Sequence, residues 1–170
     1  KIKFHKKFVI DKHCIGGVPG NRTTMIIVPI IAVAGLIIPK TSSRAITSPA
    51  GTADTVEVLT NVSFSMKEIK KIVKKTNGCM VWGGAVNLAP ADDKIISVER
   101  SMSIDPTGQL LASILSKKKS VGATHVLIDI PVGSNLKIKN KKEAVKLKRL
   151  FEKLGKNLNL HLKIIITSGE

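Results

Sequence analysis

The chain has 170 residues, about the size of one domain and enough to bury a core without disulfide staples. Lysine and arginine number 28 against 12 acidic residues, a net charge of +16, and the 43% hydrophobic content excludes a charge-driven disordered tail. The longest apolar run, Met25 to Ile38, contains Pro29 and Gly35 and falls short of the roughly 18 residues a membrane helix needs, so no membrane partner is expected.

A short β-prone run, Phe8-Val9-Ile10, predicts a buried strand at about 7–11. A Gly-rich loop follows from Asp11 to Asn21, then an apolar helix from about Thr23 to Leu36, with a kink expected at Pro29. Ile37 to Lys40 reads as a short strand, and Thr41 to Thr52 as a hydroxyl-rich loop. Ser65 and Glu68 form a capping box ahead of a Lys-rich helix ending near Gly78. Cys79 to Trp82 reads as a strand, Gly83 to Asp93 as a loop and Ile95 to Glu99 as a further strand. Gly108 to Lys119 has the apolar spacing of a helix, and His125 to Ile130 that of a buried strand. Lys141 to Leu154 predicts an amphipathic basic helix, and Leu162 to Ile166 the last strand. The alternation predicts one α/β domain over 1–170, with a largely parallel sheet flanked by helices.

The charge is uneven. Between Lys117 and Lys163 lie 13 basic and 3 acidic residues, which is +10 of the +16. Such a field attracts phosphates of any kind. The aromatic residues Phe4, Phe8, Phe64, Phe151 and Trp82 are scattered, which disfavours a stacking platform for nucleic acid. A solvated Lys-rich surface is the plainer reading.

Three regions could carry chemistry. The loop from Asp11 to Asn21 lies between a predicted strand and a helix start, where Gly16, Gly17 and Gly20 allow backbone N–H groups to approach a phosphate. It is neither a Walker A loop nor Gly-x-Gly-x-x-Gly, and a tight structural turn fits it as well. In the second loop, seven of the twelve residues from Thr41 to Thr52 carry a hydroxyl or a guanidinium, donors suited to an oxyanion. Both loops should emerge at the carboxyl edge of the sheet, where ligands collect. Third, Asp92 and Asp93 read as a solvated turn or helix start, and Asp105 as a cap for the next helix. Ser113 and Lys117 share a helix face, and Lys137 follows the loop after a strand. Among His5, His13, His125, His161, Cys14 and Cys79 there is no metal-ligand spacing, so no metal site is expected. The cysteines lack a redox context and cannot make a secreted disulfide framework. With no signal peptide in the sequence, a cytoplasmic protein is expected. The chain starts at Lys1 and stops at Glu170, just after a predicted strand, and reads as a segment of a longer protein.

Asp11-Lys12-His13-Cys14-Ile15-Gly16-Gly17-Val18 resembles the Asp-Lys-His-Ser-x-Gly-Gly-Val signature of the thymidine and pyrimidine nucleoside phosphorylases. Longer strings resemble the archaeal branch of that family, the AMP phosphorylases. They run from Gly17 to Thr24, Ser42 to Asp54, Trp82 to Asp93, Ser103 to Pro106 and Ser113 to Lys118. The resemblance covers nearly the whole chain. It implies the nucleoside phosphorylase/phosphoribosyltransferase-like catalytic domain and phosphorolysis of nucleoside 5′-monophosphates, AMP and also CMP and UMP. Inorganic phosphate is the co-substrate, with no other cofactor, and the products are free base and ribose 1,5-bisphosphate.

By the same resemblance, Asp105 is the proton donor to the leaving base and needs a raised pKa, which nearby lysines oppose. Lys12, Cys14, Thr23, Ser42 and Thr52 match the phosphate-binding positions, with Cys14 replacing the usual Ser by a poorer donor. Gly17, Ser43, Arg44, Ala45, Ile46, Thr47, Ser48, Thr52, Ser113 and Lys137 match positions that contact the nucleotide. Ser113 and Lys117 resemble two base-reading residues of the thymidine enzymes, and Arg100 lies near the third, out of register. Family members also have a helical lobe before this domain and further structure after it, neither complete in this chain. The isolated piece is therefore expected to fold but to turn over little substrate, and the full-length protein is expected to be a homo-oligomer. A pyrimidine or thymidine nucleoside phosphorylase, a phosphoribosyltransferase using Mg²⁺, and a non-enzymatic nucleic-acid-binding module are the competing readings.

Overall fold

The computed structural model describes residue 4 and residues 8–86 and 88–169. His5, among the histidines tested above for metal spacing, lies outside the described residues, as does Asn87 of the string from Trp82 to Asp93. In chain order the elements are β1 (Ile10–Cys14), α1 (Thr23–Val33), β2 (Ile38–Ser42), α2 (Thr52–Glu57), α3 (Met66–Thr76), β3 (Gly78–Trp82), α4 (Pro90–Met102), α5 (Thr107–Ser120), β4 (His125–Val132), α6 (Lys141–Asn157) and β5 (His161–Ser168).

All pairings between these strands are parallel. β1, β4 and β5 form one ladder in the order β1-β4-β5, and β2 pairs β3 in another. A single parallel bridge, Val9 to Ile37, joins the two, and the Ile10 N–H donates to the Ile37 carbonyl at 2.7 Å. The strands therefore run in the order β3-β2-β1-β4-β5, with a seam between β2 and β1 that narrows to one bridge. The expected α/β class and parallel sheet are observed.

Parallel strands between helices must be apolar on both faces. Val126, Ile128 and Ile130 of β4 are fully buried, with Phe151, Ala144 and Leu147 of α6 packed over them. At Gly155 a Cβ would collide with Leu162, so glycine lets the end of α6 lie directly on β5. The capping box holds as read: the Glu68 N–H donates to Ser65 Oγ at 3.3 Å, and the Ser65 N–H to Glu68 Oε2 at 2.7 Å. Asn77 closes α3 in the left-handed region at φ 59°.

Four expectations need correction. β1 runs on to Cys14, so Asp11, Lys12 and His13 belong to a strand rather than a loop. Residues 95–99 are helical, inside α4, because Asp92, Ile96 and Glu99 recur at helical spacing on its buried face and override the β-branched run. Asp92 and Asp93 stand in the first turn of α4, as the helix-start reading has it, so residues 90–93 are not loop, and Asp92 is buried rather than solvated. Asp105 makes no cap: Pro106 is the N-cap of α5, without a side-chain bond, and Asp105 instead pairs with Lys137. Among the described residues no helix is long and apolar enough to cross a membrane.

Candidate active site

One cavity opens at the carboxyl edge of the sheet, walled by the segments after β1 and β2, by α4 and α5, and by Lys137 after β4. Strands β1 and β2 and helix α5 together place buried charged groups at its strand end. Asp11 and Lys118 form an ion pair at 2.8 Å with side chains 0% and 2% exposed. Lys40, in the middle of β2, is equally buried and donates to the Thr41 carbonyl at 2.6 Å and to Ser42 Oγ at 3.1 Å. Burial, reinforced by the neighbouring Lys118 ammonium, holds Lys40 well below the ordinary lysine range. Lys12 is 4% exposed, and no acceptor lies within hydrogen-bond distance of its Nζ among the described residues. Burial also pulls its pKa down, opposed by Cys14 and Asp129.

Buried acceptors and hydroxyls without partners surround these cations. Asn21 Oδ1, Thr24 Oγ1 and Thr41 Oγ1 are all buried and unbonded among the described residues, and all three residues line the cavity. A hydroxyl left so in a fold costs stability unless a ligand or water completes it. Thr24 sits at the N-terminal turn of α1, whose N–H groups are positive. Gly17, at φ 70°, makes the turn that leads the chain from β1 to α1. A Cβ at Gly20 would collide with Cys14 Sγ, so the loop closes on the thiol. That thiol donates to Asp129 Oδ2 at 3.4 Å, and burial pushes its pKa up to about 11.

The second loop, 43–51, is fastened by a carboxylate. Asp54 accepts from the N–H groups of Ala45 at 2.8 Å and Gly51 at 2.9 Å, and from Arg44 Nη1 at 3.0 Å. Burial would raise its pKa, but these donors together bring it below the usual carboxylate range. Arg44 also makes two bonds to Glu57, at 2.6 and 2.8 Å, and its guanidinium lies 4.6 Å over the Trp82 ring. Those two carboxylates raise the Arg44 pKa further still. A Cβ at Gly51 would stand 2.8 Å from the Ser43 carbonyl oxygen, so the loop returns too tightly for any other residue.

At the other end of the cavity, helices α4 and α5 face each other through Asp92. It accepts from Gln109 Nε2 at 2.9 Å and Ser113 Oγ at 3.0 Å, and pairs with Lys117 Nζ at 2.8 Å. Lys117 also reaches Ser113 Oγ at 3.3 Å, as expected for positions four apart on one helix face. Glu99, about two turns along the same face of α4 as Asp92, is 4% exposed, lines the cavity, and has Oε1 unbonded among the described residues. Burial raises its pKa, helped by the carboxylates of Asp105 and Asp92. Asp105 and Lys137 form an ion pair at the rim.

The cavity brings together Lys12, Cys14, Gly17 and Ser42 with Ser43, Arg44, Ala45, Ile46, Ser48 and Thr52. Asp105, Ser113, Lys117 and Lys137 complete that wall. Three expected residues fall outside it. Thr23 and Thr47 are not part of the lining, although Thr24, next to Thr23, is; Arg100 is not part of it either, but its Nε donates to the carbonyl of the lining residue Ala45 at 3.0 Å. Lining residues given no role in the sequence include Lys40, Gln109, Lys118, Asn21, Thr24 and Glu99. Asn21, Thr24 and Lys118 stand inside strings already singled out; Glu99 is concealed when its segment is read as a strand.

Residues 6–147 match the glycosyl transferase family, a/b domain, and the chain belongs to that family. It is 56% identical over 169 residues to a protein named "Putative thymidine phosphorylase" from Bradyrhizobium sp., covering 99% of this chain and 33% of that relative. It is 60% identical over 168 residues to an AMP phosphorylase from Methanococcus maripaludis, again covering 99% of this chain and 33% of the relative. A protein named "Putative thymidine phosphorylase" from Legionella pneumophila is 56% identical over 169 residues, with the same coverage. The chain thus spans about a third of the length of the curated relatives it matches. Nucleoside phosphorylases and AMP phosphorylases are the proteins it resembles.

Proposed function

We propose that the protein containing this domain catalyses phosphorolysis of nucleoside 5′-monophosphates, with AMP the leading substrate and CMP and UMP also accepted. The supporting observation is the cluster of Lys12, Thr24 and Thr41 at the strand end of the cavity, a buried cation beside two unbonded hydroxyls. Such a set suits inorganic phosphate, the co-substrate in this reading, and no further cofactor is required. A phosphate oxygen attacks C1′ as the N-glycosidic bond breaks, and the bond's electron pair leaves with the base. By the family resemblance, Asp105 is the group that passes a proton to the departing base. Ribose 1,5-bisphosphate and free base are the products. Ser113 and Lys117, held by Asp92, contact the base, while the loop 43–48 and Lys137 contact the nucleotide.

One observation favours a second reading. Arg44, the expected partner of the 5′-phosphate, already engages Asp54 and Glu57. A nucleoside without a 5′-phosphate, such as thymidine, makes no demand on it. Base release from AMP, CMP, UMP and thymidine, each with and without phosphate, separates the two. Phosphate-dependent release from AMP is expected; release from thymidine alone would move the function to nucleoside phosphorolysis.

A further inference from the structure

The helix end of the cavity is lined by a carboxyl group with an oxygen left unpaired among the described residues. Glu99 is 4% exposed and its Oε1 has no hydrogen-bond partner among the described residues. The nearest basic groups are committed elsewhere: Lys117 pairs with Asp92 and Lys137 with Asp105. The Arg100 side chain, next in sequence, turns to the Ala45 carbonyl. A buried carboxyl oxygen without a donor is costly, and the fold has placed it where a ligand can supply one. The lining beside it includes the apolar side chains of Leu110 and Ile114. A second anion would meet the charges of Glu99 and Asp105 here. A flat, neutral ring carrying an N–H donor on its edge would meet an acceptor and an apolar face.

We infer that Glu99 reads the heterocyclic base, its Oε1 accepting a hydrogen bond from the exocyclic amino group of a 6-aminopurine. The inference rests on the proposed phosphorolysis reading and adds to it a preference, among purines, for the 6-amino base over its 6-oxo counterpart. The amino group at purine position 6 donates; the carbonyl oxygen of hypoxanthine at the same position presents only lone pairs to the Glu99 oxygen. Burial and the neighbouring acidic groups raise the pKa of Glu99. A carboxyl oxygen accepts a hydrogen bond in either protonation state.

The test compares AMP with IMP, its 6-oxo analogue, in the full chain and in the Glu99→Gln variant. Glutamine keeps the shape and adds an N–H₂ donor that can meet the oxo group. The ratio of kcat/KM for AMP to that for IMP should fall by about tenfold or more in the variant, chiefly through KM. An unchanged ratio, including an equal loss on both substrates as a structural role would produce, overturns the inference. If the variant melts below the assay temperature, the unaltered protein still decides. The analogue with hydrogen in place of the 6-amino group should then show a KM about tenfold or more above that of AMP; an equal KM overturns the inference. Absence of phosphate-dependent base release from every monophosphate would break the phosphorolysis reading instead. In that event the preference of the unaltered protein for free adenine over free hypoxanthine, measured by equilibrium dialysis, tests Glu99 on its own, and equal affinity overturns it.

Discussion

The two ends of the cavity use the same side-chain chemistry and leave opposite groups unsatisfied. At the strand end, Lys12 and Lys40 are buried lysines with no carboxylate bonded to them, and the hydroxyls of Thr24 and Thr41 lack partners, among the described residues. At the helix end, Lys117 and Lys137 are each neutralised by an aspartate, and the unsatisfied group is the Glu99 carboxyl. The number of lysines says little about what either end binds. What matters is the charge left over after the fold has paired its own groups. The strand end has positive charge left over and suits an oxyanion; the helix end has an acceptor left over and suits an N–H donor.

The largest effect is expected where one of those internal pairings is broken. Asp11 and Lys118 are both almost fully buried, so removing the carboxylate strands an ammonium in the core. Asp11→Ala should cost about 3–5 kcal/mol of stability, read as a lower denaturant midpoint. The double variant Asp11→Ala with Lys118→Met removes both charges and should recover most of the loss. A small effect of Asp11→Ala would mean that Lys118 finds another partner, and the contrast between paired and unpaired cations would lose its basis. Lys12 is predicted to behave in the opposite way. Lys12→Met should lower kcat/KM for phosphate about a hundredfold, the scale of losing one preorganised donor to an oxyanion. Its thermal midpoint should hold or rise, because an apolar side chain replaces a buried cation that burial already disfavours. Loss of stability with activity retained would make Lys12 a structural lysine and sink the anion assignment.

Much of this contrast can be seen in the sequence, but unevenly. The strands β3, β4 and β5 and the helices α3, α5 and α6 announce themselves by apolar spacing and, at Ser65, by a cap. The hydroxyl-rich loop and the Lys12 segment were legible because several donors lie together in the chain. Asp92 and Glu99 were not, for a shared reason. Burial of an acidic residue depends on what packs over it, and here that is α5, which arrives about twenty residues later with Ser113 and Lys117. The run Ile95-Ile96-Ser97-Val98 has strand composition, yet its neighbours at helical spacing decide the matter. Lys40 and Lys118 were overlooked because lysines are read as solvated unless a fold is known. The displacement from Thr23 to Thr24 is a single step around a helix, below the resolution of a motif match.

Arg44 is the case that sharpens the comparison, since it lies at the strand end but is already neutralised like the helix-end lysines. If it only fastens the loop 43–51 to α2, Arg44→Ala should weaken AMP and thymidine by the same modest factor, through loss of loop order. If it meets a 5′-phosphate, it must exchange the Glu57 carboxylate for that phosphate while Asp54 continues to hold the loop backbone. The KM for AMP would then rise by about tenfold and that for thymidine would stay put. Glu57→Gln gives the converse measurement. It weakens the competitor without removing the guanidinium, so a phosphate-binding Arg44 should lower the KM for AMP in that variant. A loop fastener would leave it unchanged or raise it. The two variants moving KM in opposite directions is an outcome that a purely structural arginine cannot produce, and we expect it if the nucleotide reading holds.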